Sequence, residues 1–202
     1  MVHCDPTASI GSRVRFLGSA YVGPYCLLGS PCFQHADWRP EDFIAPTCAP
    51  TILGDGARLL GHTVICAGTE IGKRLRCDYH CFIGENCKIE DDVVVEYGAR
   101  IYTRVSIGSK TAISGFVCND SVIGRNCVIQ GALVHARTKP GIEAAPLIED
   151  DCLVGAGAII VGGVLIRRGS FIAAGAVVTH DTDEDFLYAG VPARRIKRKK
   201  WY

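Results

Sequence analysis

The chain has 202 residues, 48% of them hydrophobic and 23 of them glycine; that is enough for one sizeable core, with too much glycine for an ordinary helical protein. A formal net charge of only +1 argues against a polycation that coats nucleic acid. No run of about 18 apolar residues suggests a membrane span, and the opening "MVHCDPTASIGSR" lacks the layout of a signal peptide, so a cytoplasmic protein is expected.

In chain order, the first segment, residues 1–33, places Ile10, Phe16, Val22 and Leu28 at a spacing of six. Residues 34–50, "QHADWRPEDFIAPTCAP", break that beat. Trp38, Phe43 and three prolines there suggest an ordered inserted loop, read either as a lid over the N-terminal coils or as a substrate loop. The main segment, 51–181, resumes with Leu53 and keeps six without a slip to Ile113; it continues through Ile123 and Ile129 to His135. There a polar loop, residues 136–146, interrupts it, and Ile148, Val154, Ile160, Ile166, Ile172 and Val178 restart the count. The last segment, 182–202, is basic and ends in "RRIKRKK".

A period of six fits neither the 3.6 of a helix nor a plain alternating strand. It fits short strands joined by tight corners, each coil burying its apolar side only when the next stacks on it, hence a solenoid. Two residues before most of the large apolar positions sits a small one, among them Cys26, Cys81, Cys87, Cys127 and Cys152. Most of the 11 cysteines are thereby read as reduced packing residues rather than disulfides, the number being odd and no secretion signal present. The alternative for "CDYHC" (Cys77, His80, Cys81) is a zinc site; on the packing reading no metal is expected.

The hexads, with the closing run "PLIEDDCLVGAGAIIVGGVLIRRGSFIAAGAVVTHD" and then "AGVPARRIK", resemble the hexapeptide-repeat acyltransferases. The resemblance implies an all-β fold, a left-handed parallel β-helix solenoid with two loop excursions and a short C-terminal segment. It also implies acetyl-CoA as co-substrate, a small-molecule acceptor, and a homotrimer with active sites between neighbouring prisms. Hexads alone also occur in γ-class carbonic anhydrases and in non-catalytic β-helical proteins, which remain the alternatives.

By that resemblance His135, a histidine just before a loop and a proline–isoleucine restart, takes the role of general base. Here the loop is shorter and Ala136 stands where the family has a proline. On the six-residue count His135 occupies an inward position, so its other reading is an imidazole turned into the core. His80 is the second choice, with His62 one 18-residue coil earlier at the same corner. Gly155, Ala156 and Gly157, with Ala173 and Ala174, are expected to line the pantetheine groove, and Arg194 and Arg195 to meet the cofactor phosphates.

Overall fold

The computed structural model describes residues 1–30, 49–139 and 142–198. The inserted loop, with Trp38 and Phe43, lies almost wholly outside these residues, as do Lys199 and Lys200. Among the described residues no helix is long and apolar enough to cross a membrane.

Short strands of mostly two to four residues wind into a left-handed parallel β-helix whose three faces hold 11, 9 and 8 strands. The first face runs from Val2–Cys4 to the terminal hairpin, the second from Ser9–Ile10 to Val177–Val178, and the third from Val14–Phe16 to Leu165–Ile166. Successive coils stack in register, as in Arg76↔Val94 and Phe82↔Arg100, about 4.8 Å apart. One inward side chain per strand forms the core: Leu59, Ile83, Ile101, Ile113, Ile129 and Ile160 are all 0% exposed. Burying each such side chain stabilises the prism by roughly 1.5–3 kcal/mol. The small residues sit behind them at the corners, Cys81, Cys87, Cys127 and Cys152 each at most 1% exposed.

The count of six breaks in two places the sequence reading passed over. From Ile113 to Val117, and again from Ile129 to Leu133, only four residues separate inward positions, so two successive coils shrink to 16 residues, with Arg100↔Phe116 and Phe116↔Ala132 in register. Glycine permits this: a Cβ on Gly115 would lie 1.8 Å from the Gly131 carbonyl oxygen. The inward residue of that coil is therefore Leu133, 0% exposed. His135 is two residues further on, at the edge of the prism, which corrects both the inward position and the core reading.

At the C-terminus Phe186–Ala189 adds a parallel strand to the first face, and Arg194–Arg198 folds back antiparallel against it.

Candidate active site

The three edges of the prism have different chemistry. Between the third and first faces runs a staircase of exposed ion pairs, such as Arg74–Asp92 at 2.5 Å. Its pairs are satisfied within the chain, and it supports the corner turns.

Between the first and second faces the lower coils carry a ladder of rings. Tyr25 stacks on His62 with ring centroids 4.9 Å apart, His62 on His80 at 4.8 Å, and His80 meets the edge of Tyr97 at 5.5 Å. Tyr25, His62 and His80 all have positive φ, between 50° and 60°, which turns their side chains outward along the ridge. His62 and His80 thus occupy the same corner of successive coils, as their 18-residue spacing implies. Their stacking separates His80 from Cys77 and Cys81, whose side chains are buried, so the "CDYHC" group is not gathered. Among the described residues no three His, Cys, Asp or Glu side chains are grouped to hold a metal ion.

Above the ladder come the two shortened corners, and above these the same edge is built from Gly155, Ala156 and Gly157, then Ala173, Ala174 and Gly175. Gly155 allows the coils to close up, since a Cβ there would lie 2.7 Å from the Ala174 nitrogen. At Gly157 and Gly175 the ridge is open: a Cβ would meet only the Gly175 nitrogen at 4.0 Å in the first case and nothing within 4 Å in the second. Ala156, Gly157, Ala174 and Gly175 are exposed along it.

His135 lies on the opposite side of the second face, at its edge with the third, just after the strand Ala132–Val134. The polar residues Glu85, Thr103 and Asn119 occupy the equivalent corner position in the three preceding coils. Asn119 is fixed from below by the Thr103 backbone N–H, which donates to its Oδ1 at 3.1 Å. Its own carbonyl oxygen lies 2.9 Å from His135 Nε2. Beyond His135 the expected loop is a β-hairpin, Ala136–Lys139 paired with Ile142–Ala144. Gly162 seats it, because a Cβ there would fall 1.8 Å from the Ala144 carbonyl oxygen. The returning strand brings Glu143 Oε2 to 3.2 Å from His135 Nδ1, with side chains 48% and 23% exposed respectively. Arg137 is the register partner of Glu143.

Both ring nitrogens thus face oxygen atoms that can only accept. A carbonyl partner on Nε2 requires the proton there, which leaves Nδ1 as the basic nitrogen whenever the ring is neutral. Close by, Asp120 makes a bidentate pair with Arg104 at 2.6 and 2.8 Å. That hydrogen bond pulls the Asp120 carboxyl below the usual carboxylate range, the charge of Arg104 adding to it.

Sequence reasoning did not find Glu143 or Asn119. The "KPGI" step, a Pro-Gly pair between two short runs, is the signal that marks a hairpin returning toward His135. At the C-terminus, Arg195 Nη1 donates to Asp183 Oδ2 at 2.8 Å and its guanidinium lies 4.8 Å over the Phe186 ring. Among the described residues Arg194 donates to the neighbouring Ala193 carbonyl, at 3.2 Å.

Residues 147–180 match the family described as "Hexapeptide repeat of succinyl-transferase". The chain is 26% identical over 182 residues to the bifunctional protein GlmU of Nitrosospira multiformis, covering 87% of this chain and 39% of that protein. Over 68 residues it is 41% identical to the 2,3,4,5-tetrahydropyridine-2,6-dicarboxylate N-acetyltransferase of Staphylococcus aureus, covering 34% of this chain and 28% of that one. The chain therefore spans two fifths or less of the length of these curated relatives. The crystal structure of the UDP-N-acetylglucosamine O-acyltransferase of Moraxella catarrhalis superposes with a TM-score of 0.59 at 18% identity, over 98% of this chain and 75% of that chain, and shows the same fold. The resemblance to the hexapeptide-repeat acyltransferases stands on these matches and on the repeat itself.

Proposed function

We propose that this protein is an acyltransferase that moves an acetyl or other short acyl group from coenzyme A to an amine or hydroxyl of a small acceptor, with His135 as the general base. The observation that carries the reading is the pair of contacts on His135, which fix its ring and leave Nδ1 as its one basic nitrogen. The acceptor must lose a proton as it attacks the thioester, and a neutral imidazole near pH 7 suits that task. The acceptor heteroatom bonds to the acyl carbon, the C–S bond breaks, and the proton held on His135 passes to the departing sulfur. When the ring becomes an imidazolium, Asn119 and Glu143 are already in place to accept from both N–H groups, which favours the charged form at the moment it develops.

Ala156, Gly157 and Ala174, exposed on the glycine–alanine edge with Ala173 beside them, fit the donor, while the buried Gly155 holds the coils close beneath them. Arg194 is the cation better disposed toward its phosphates, Arg195 being held by Asp183 and Phe186. This edge and His135 lie on opposite margins of the second face, separated by a three-residue strand, about 10 Å. That separation supports a homotrimer. Where three prisms turn this face toward a common axis, the glycine–alanine edge of one meets the His135 edge of the next. The outward residues of the face, among them Val64, Phe82, Phe116, Ile159 and Val177, suit such burial.

Incubation with acetyl-CoA and a panel of amino sugars, nucleotide-linked sugars and amino acids, read by mass spectrometry, tests the reading. Acylated product with equimolar free coenzyme A is expected. No acylated product from any short acyl-CoA, in a preparation shown to be folded, would refute it. The zinc-lyase alternative is not favoured, because the rings of His62 and His80 stack face to face, 4.8 Å apart.

A further inference from the structure

The first face carries a pair of charges that the acyl-transfer residues do not use. Arg58 and Arg76 are register partners on adjacent parallel strands, about 4.8 Å apart, and both are exposed. Like charges facing one another across strands destabilise a sheet, and elsewhere this chain pairs its arginines, as in Arg74–Asp92, Arg104–Asp120 and Arg168–Asp150. Among the described residues neither the Arg58 nor the Arg76 guanidinium has a hydrogen bond or ion pair. The next residues of the same column are Val94 on one side and Tyr21 on the other, which supply no counter-charge.

Both arginines line a groove of about 400 Å³, a volume within the range of small-molecule sites. Leu60 and Val94 add apolar wall to it, and Asp78 and Glu96 stand two residues further along the strands of Arg76 and Val94, about 6–7 Å on. Asp78 Oδ1 accepts from the Tyr79 backbone N–H at 2.7 Å, whereas the Glu96 carboxylate has no partner among the described residues. One end of the groove is thus cationic and the other anionic.

We propose that this groove binds a small phosphate monoester that carries an ammonium group at its other end. A phosphate monoester holds about −1.5 to −2 charge at pH 7, which matches two guanidiniums; a carboxylate would neutralise only one. Its terminal oxygens can accept from both arginines at once. The carbon stem then lies along Leu60 and Val94, and the ammonium meets Glu96. The first face lies across the prism from the edge that holds His135, so the site is separate from acyl transfer and the inference is independent of that reading. It stays open in a trimer whose second faces turn inward.

Isothermal titration calorimetry at constant ionic strength tests it with phosphoethanolamine, inorganic phosphate and phosphoglycolate. Phosphoethanolamine should bind with a Kd of about 1 mM or tighter, inorganic phosphate more weakly, and phosphoglycolate, whose far end sets a carboxylate against Glu96, most weakly. Arg58→Gln and Arg76→Gln should each weaken phosphoethanolamine binding roughly ten-fold or more, the effect of losing a charge-assisted bond. Their melting temperatures should be unchanged or slightly raised, since a like-charge pair is relieved, and their coenzyme A affinity unchanged. Arg15→Gln, which removes an exposed positive charge from the third face, is the control and should have little effect. Absence of binding by all three compounds, or equal weakening in Arg15→Gln, would overturn the inference. So would phosphoglycolate binding as tightly as phosphoethanolamine, or a fall in coenzyme A affinity in the Arg58 and Arg76 variants, which would assign these arginines to the acyl donor instead.

Discussion

Replacing Gly115 with alanine probes the shortened corners that set the spacing of the upper coils. Gly115 is not among the residues with positive φ, so its cost is steric and not conformational. The new methyl carbon would begin 1.8 Å from the Gly131 carbonyl oxygen, where an ordinary contact is about 3.4 Å. The two corners must therefore part by more than 1 Å, against a coil spacing of about 4.8 Å that the ladder hydrogen bonds hold fixed. Overpacking of this kind costs typically 1–3 kcal/mol, and the backbone contact puts Gly115→Ala at the upper end, about 3 kcal/mol. For a chain of this size that is a fall in melting temperature of roughly 6–12 °C. Gly175→Ala is the control. There the methyl group meets nothing within 4 Å and the penalty is that of a left-handed φ of 68°, about 1–2 kcal/mol. Differential scanning calorimetry on the two variants decides between them; Gly115→Ala as mild as Gly175→Ala or milder would refute the account of the shortened corners.

The cysteines and the Arg104–Asp120 pair give two further tests. Of the nine described free cysteines all but Cys4 are buried, so thiol labelling of the native protein mapped by peptide mass should, among these nine, modify chiefly Cys4, and denaturation should release the other eight; rapid native labelling of Cys81 or Cys127 would contradict the packing. Arg104 holds the folded-state Asp120 carboxyl below its ordinary range, so this pair contributes stability above the unfolded-state carboxylate pKa and loses it as pH falls through the lower folded value. Because both side chains are about half exposed, Asp120→Asn should cost no more than about 0.5 kcal/mol at pH 7 and the difference should vanish in acid, which chemical denaturation at pH 7 and pH 3 would measure.

The solenoid was legible because its determinants are local: one large apolar side chain per strand and a small residue at each turn repeat along the chain, and every coil makes the same contacts. Shortened corners were harder to read. "ISGFV" and "IQGAL" each remove two residues from a turn, and because Ile123 and Ile129 are again six apart, counting by six recovers its stride while landing on His135 where Leu133 is inward. What distinguishes His135 is a pair of non-local contacts, one to the Asn119 carbonyl in the preceding coil and one to Glu143 across a hairpin. Neither residue type is unusual in itself. Their meeting depends on the 25-residue step from Val122 to Leu147 that lets the hairpin leave the edge and return.

Steady-state kinetics of His135→Ala, set beside its coenzyme A affinity by calorimetry, test the central claim most directly. With the acceptor that the panel identifies, the variant should fold and bind coenzyme A as the parent does, while kcat falls by roughly a hundred-fold or more, the contribution expected of a positioned general base. His80→Ala, removing one rung of the exposed ring ladder, should lose far less. Near-normal turnover in His135→Ala, with the large loss in His80→Ala instead, would contradict the account and move the base to the opposite edge of the prism.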